Sequence, residues 1–286
     1  RGLGDVYKRQ GQGWVEQQDR GLFVLHNRSS PGRIRFAEVA KTAVGDWAYG
    51  NTRSHWNVYA VVPIDYDHDG DFDLFAAAVV RGGTVRRPAE DTRSVAFLEN
   101  VSEPGTIRFL DRTRQSEFDR FNSLPPDERR HVSFASGAPI DYDNDGGGGG
   151  RDLNYADFDA DGRIDVVIHD GTGGGYDGAD NSRVYANRIV NSNHWIRLHV
   201  AAGQPPRTSI GARVTLFASG TQTILGFDEV RTDFCYRSKR SPILHFGLGS
   251  VKSVDVRVTT RDGRTQKFEG LPADETHVLH VNPSKS

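Results

Sequence analysis

In the first two-thirds of the chain, apolar residues come in short runs framed by turn formers. GLFVLHN (21–27), DLFAAAVV (73–80) and IDVVIHD (164–170) are each bounded by Gly, Asp or Asn. Runs of this length and framing predict β-strands. No long segment carries apolar positions at helical spacing with caps. Only EDTRSVAFLEN (90–100) and the polar stretch 111–130 leave room for a helical turn. Near residue 192 the pattern changes. NSNHWIRLHV opens a region of clean β patterning, with ARVTLFA (212–218), QTILGF (222–227), ILHFGLG (243–249), VDVRVTT (254–260) and HVLHV (277–281).

The first region repeats itself. LHNRSSPGRIRF (25–36) returns as LENVSEPGTIRF (98–109), and HWNVYAVVPIDYDHDG (55–70) as HVSFASGAPIDYDNDG (131–146). DFDADGRID starts at Asp157, and VYANR (184–188) echoes the Leu-x-Asn element. The unit is therefore an acidic loop, an apolar strand, a variable stretch and a strand ending near Asn. Units with several short strands each predict the blades of a β-propeller. Asn27 should have an acidic loop upstream that falls before Arg1, so the first unit is expected to lack its own. About two complete blades and a partial one are expected, without ring closure.

Charge supports a division at the same place. Residues 193–286 hold 13 Lys/Arg against 8 Asp/Glu, whereas 1–192 hold 23 against 30. The chain as a whole carries a net charge of −2, with no long basic run, so a nucleic-acid partner is not indicated. No apolar stretch approaches the roughly 18 residues of a membrane span. Cys235 is the only cysteine, which excludes an intrachain disulfide and a cysteine-based zinc cluster. The chain starts at Arg1 and contains no methionine, and RGLGDVYKRQ (1–10) reads as a non-native leader, so a processed or truncated product is expected.

The acidic loops carry the candidate chemistry. Asp65, Asp67, Asp69, Gly70 and Asp73 occupy positions 1, 3, 5, 6 and 9 of D-x-D-x-D-G-x-x-D, and Asp157, Asp159, Asp161, Gly162 and Asp165 repeat them. Carboxylates this close repel unless something neutralises them. The glycine permits a turn that brings the position-7 carbonyl, of Asp71 or Arg163, into the same shell. Hard oxygen donors in such a loop suit Ca2+ better than zinc or magnesium. The bland alternative is that Asp, Asn and Gly simply make turns. Two complete copies, each running into an apolar strand, weigh against it. An EF-hand needs an acidic ligand at position 12, where Ala76 and Ile168 stand. In the middle loop Asp141, Asp143 and Asp145 match the first half of the pattern, but position 9 is Gly149. Asp152 replaces that ligand if the five glycines of 146–150 act as slack; a tolerated surface insertion is the other reading.

These loops, PIDYDHDGDFDLF (63–75) above all, resemble the FG-GAP/VCBS repeats of integrin-like calcium-binding β-propellers, over roughly residues 20–192 within a blade region of 11–192. The resemblance implies that Asp65, Asp67, Asp69, Asp73, Asp157, Asp159, Asp161 and Asp165 are calcium ligands. Residues 193–286 are similar to the ASPIC/UnbV domain, on NHWIRL (193–198), IGARV (210–214), LHFGLG (244–249), VDVRV (254–258) and DGRTQ (262–266). They depart from it at Thr260-Arg261, where that family usually has Trp-Pro, and in RTDFCYRSKR (231–240).

The fold class expected is thus all-β: a partial β-propeller followed by a β-sandwich-like domain. No nucleophile elbow, HExxH or nucleotide fingerprint is present, and His245 and His280 read as strand residues. The function expected is that of a secreted or cell-surface calcium-binding repeat protein, in adhesion or in binding a protein or carbohydrate ligand. A propeller-scaffolded hydrolase or oxidoreductase is the alternative. Calcium removal is expected to weaken the acidic half and spare the C-terminal one.

Overall fold

The computed structural model describes residues 6–7, 21–48, 56–80, 95–112, 152–169, 183–203, 205–232 and 239–281. It is an all-β structure. β1 (Val6–Tyr7), β2 (Phe23–Asn27) and β3 (Phe36–Glu38) form one antiparallel sheet. β4 (Trp56–Ile64), β5 (Asp73–Val80), β6 (Val95–Asn100) and β7 (Phe109–Asp111) form a four-stranded antiparallel meander. β8 (Asp152–Ala156), β9 (Asp165–His169) and β10 (Arg183–Tyr185) form a third sheet of the same connectivity. The segment 95–100, allowed a helical turn above, is strand β6. Ala96 and Leu98 are buried on one face and Phe97 on the other, the alternation of a strand. The one α-helix among the described residues is the single turn α1 (Ala40–Ala43), which the sequence pattern does not foreshadow.

The unbroken apolar runs have a packing cause. β5 and β6 lie between neighbours and bury both faces. Leu74, Ala76, Ala96 and Leu98 pack with Leu22, Val24, Trp47 and Ala48 of the first unit. Phe75 and Phe97 face the other way, onto Leu153, Ile164 and Val166 of the third. The sheets therefore stack face to face. Trp47, fully buried, ties the first two units together by donating its indole N–H to Asp111 Oδ2 at 2.9 Å. The repeated Asn-x-Ser element is a hairpin lock. Asn27 Oδ1 accepts from Ser29 N at 2.9 Å, and Ser29 Oγ accepts from Arg35 N at 2.9 Å. Asn100, Ser102 and Arg108 reproduce both bonds at 3.0 Å. One four-stranded and two three-stranded units are thus described, and no closed ring is formed among the described residues.

The remaining strands build a separate core. β11 (His194–Ala202) pairs with β12 (Arg207–Thr208), with β15 (Leu244–Gly249) and, in parallel, with β18 (Glu275–Val281). β13 (Arg213–Ala218) lies between β14 (Ile224–Glu229) and β16 (Ser253–Thr259), and β17 (Thr265–Pro272) pairs with β16. Alternation decides what lies inside. Val254, Val256 and Val258 of β16 meet Val214 and Leu216 of β13, and Ile196, Leu198 and Val200 of β11 close the core from the other sheet. Each such fully buried aliphatic contributes about 1.5–3 kcal/mol. No helix among the described residues is long and apolar enough to cross a membrane.

Candidate metal centre

Each complete acidic loop joins two adjacent strands of one sheet, β4 to β5 and β8 to β9. The two loops share one backbone conformation. Position 4 is left-handed in both, with φ of 64° at His68 and 61° at Ala160. Position 6 is left-handed as well, at 95° for Gly70 and 92° for Gly162, where a side chain would be strained. Carboxylates hold this shape. The position-1 carboxylate accepts from the position-6 amide, at 3.1 Å for Asp65 and 2.9 Å for Asp157. Position 5 accepts from position 7, at 2.9 Å for both Asp69 and Asp161.

The position-9 carboxylate has a second duty. Asp73 Oδ1 accepts from Asn100 N at 2.8 Å, and Asp165 Oδ1 from Asn187 N at 2.8 Å. Asp165 Oδ2 also accepts from Phe158 N at 2.8 Å, and Asp73 Oδ2 from Tyr66 N at 3.4 Å. This residue therefore fixes the loop to the end of the third strand of its unit. The spacing between acidic loop and Asn in the sequence repeat reflects that bond.

Positions 1, 3 and 9 converge. Asp65, Asp67 and Asp73 each direct an oxygen into a group whose atoms lie within 4.8 Å of one another, and Asp157, Asp159 and Asp165 do the same. Asp69 and Asp161 stand outside these groups. Asp161 pairs with the Arg163 guanidinium, whose Nε also donates to the Asn187 carbonyl at 2.8 Å. Asp71 is half-buried beside the first group. Asp152 opens β8 opposite His169. Asp141, Asp143 and Asp145, and with them the glycine-slack reading, lie outside the described residues.

Electrostatics at the first loop show an uncompensated site. Asp65 is 7% exposed, and its Oδ1 is buried without a hydrogen-bond partner. Burial, followed by the charges of Asp69 and Asp67, pushes its carboxyl well above the ordinary range. Burial and Asp69 raise Asp67 to about 6 and Asp71 to about 7. Burial raises Asp73 to about 9 and also lifts Asp165. Without a counter-charge, part of the cluster is held protonated at neutral pH. An orphaned buried carboxylate oxygen within an all-oxygen donor set fits a hard divalent cation. Asp65, Asp67 and Asp73 would hold it in one loop, and Asp157, Asp159 and Asp165 in the other.

Residues from the C-terminal strands cover these loops. Trp195 and Arg197 of β11 and His245 and Gly247 of β15 come from the second core. His245 Nε2 lies 2.9 Å from the Gly162 carbonyl oxygen, and its ring stacks on Trp195 with centroids 5.8 Å apart. The His68 and His245 rings are 5.0 Å apart. Burial lowers His68 to about 4, and burial with the neighbouring His68 lowers His245 to about 3. Nothing local in the sequence signals these partners, because they are distant along the chain from the loop atoms they touch, by 40 residues for Arg197 on Asp157 and 83 for His245 on Gly162. The two halves are in direct contact and are not independent.

Residues 202–286 match the ASPIC and UnbV family. The match begins at the last residue of β11, and the sheet it enters starts at His194. Among curated proteins, none matches the chain.

Proposed function

We propose that this chain is calcium-binding and secreted or displayed at the cell surface, with FG-GAP/VCBS-type propeller blades joined to an ASPIC/UnbV domain. It acts in adhesion, or in binding a carbohydrate or protein partner. The observation that carries the reading is the pair of three-carboxylate groups on identical loop backbones, one of them with a buried, unpartnered oxygen at Asp65. Turn formation alone accounts for the Asx-type bonds of Asp69 and Asp161. It does not account for carboxylates gathered inward at positions 1, 3 and 9 against their mutual repulsion. When bound, the cation supplies positive charge and order to the loops; no chemical step is assigned to it.

Calorimetric titration of the chelator-stripped chain with calcium tests the metal part. Two sites with dissociation constants of about 10⁻⁴–10⁻³ M are expected. Combining Asp67→Asn with Asp159→Asn should remove both. No binding at about 10 mM calcium, tenfold or more above those constants, overturns the reading. The adhesion part is tested by calcium-dependent retention on immobilised glycans and extracellular-matrix proteins, with the same double variant as control.

A further inference from the structure

The Asp65–Asp73 loop is the surface on which the C-terminal sandwich sits. Its backbone carbonyls are met by the third unit (Asn187), by the segment that leads out of it (Asn191) and by the C-terminal region itself (Asn193 and Gly249). The Tyr66 carbonyl accepts from Asn187 Nδ2 at 2.9 Å. The Asp67 carbonyl accepts from Asn191 Nδ2 at 2.5 Å and Asn193 Nδ2 at 2.9 Å. The His68 carbonyl accepts from the Gly249 amide of β15 at 2.7 Å. Between these bonds the strand passes so close that only glycine fits at 247. A Cβ there would lie 2.0 Å from Asp65 Oδ2 and 2.5 Å from His68 Cα.

The conformation that turns these three successive carbonyls outward is the one that gathers the carboxylates of Asp65, Asp67 and Asp73 inward. Their mutual repulsion opposes that arrangement, and a cation among them favours it. We propose that cation binding in the Asp65–Asp73 loop and docking of the C-terminal sandwich are coupled, so that the loaded loop latches the two cores together. This rests on the cation reading above. The coupling is reciprocal: whatever strengthens docking tightens the site, and whatever loosens docking weakens it by the same factor.

The test is amide hydrogen exchange on the full chain, with calcium or with chelator, and calcium binding followed by titration heat in the same samples. Saturating calcium should slow exchange of the Gly249 amide by about fivefold or more relative to amides of the central strand β16. Asn193→Ala removes a docking bond to the Asp67 carbonyl and no bond to a carboxylate, yet it should weaken calcium binding at one site by a similar factor. If Asn193→Ala does not fold, the wild-type exchange measurement still decides. Calcium binding with no relative change at Gly249 overturns the latch and leaves the metal site standing. Absence of any calcium binding overturns both.

Discussion

Arg197 Nη1 lies 2.5 Å from Asp157 Oδ2, so a cation from the C-terminal core rests on the first carboxylate of the second acidic loop. Its Nε is held by Thr276 Oγ1 at 2.8 Å. At the equivalent place on the first loop, Asp65 Oδ2 meets Gly247. The loops share a backbone but meet the C-terminal core differently: the second has a guanidinium on its first carboxylate, where the first has the backbone of Gly247.

Arg197→Gln should therefore expose the second loop to its own repulsion. In chelator the loss should be about 1.5–3 kcal/mol, the range for a hydrogen bond to a charged group. Millimolar calcium should recover part of it, because a bound cation can replace the missing charge. Urea unfolding with and without calcium measures both. Equal losses in the two conditions would show that Arg197 and the cation do not share a task.

Calcium removal should lower stability by mass action. A site with a dissociation constant near 10⁻⁴ M at millimolar calcium adds about 1.4 kcal/mol, and two such sites about 3 kcal/mol. Thermal melts in calcium and in chelator check this. Asp67→Asn with Asp159→Asn should flatten the difference. Asp73→Asn should cost more than either in chelator as well, since its Oδ1 also anchors Asn100.

The pH response has two arms. Asp67, Asp71 and Asp73 have folded values of about 6, 7 and 9, above the ordinary 3.8. Without calcium the folded state holds protons that the unfolded state has released, so stability falls as pH rises from about 4 toward 9. Calcium must displace those protons, so its affinity should rise over the same window. His68 and His245 work in the other direction, at about 4 and 3 against an ordinary 6.5. Below pH 6.5 the unfolded state takes up protons first, and stability is lost as pH falls toward those values. Titration at pH 5.5 and 7.5 in two buffers of different ionisation heat should show proton release on calcium binding at the first loop (about one proton at pH 7.5, and more at pH 5.5). Zero release at both pH values contradicts the protonated cluster.

Gly162→Ala should be severely destabilising for two separable reasons. Its φ of 92° is left-handed, and a Cβ would lie 2.2 Å from the Trp195 ring. The backbone part costs about 1–2 kcal/mol. Adding Trp195→Ala should relieve the clash but not the backbone strain. A double-mutant cycle should therefore give a coupling energy between the two sites of about 1 kcal/mol or more. Strict additivity would mean that Trp195 does not press on the loop.

Local sequence was sufficient for what depends on neighbours along the chain. The apolar runs at 21–27, 73–80 and 164–170 contain strands β2, β5 and β9, because short apolar segments framed by Gly, Asp and Asn have few other ways to satisfy their backbone. The D-x-D-x-D-G-x-x-D spacing marked both carboxylate groups, since alternate residues of one tight loop share a side. The same spacing could not separate Asp69 and Asp161, which turn outward to cap the backbone, from Asp65, Asp67 and Asp73, which turn inward. Nor could it show that Asp73 and Asp165 also hold the ends of distant strands. Only the tertiary structure placed Arg197 on Asp157, His245 on Gly162 and Gly247 against Asp65. Those contacts are set by how two separately built cores meet, and that depends on the shape and charge of both surfaces together.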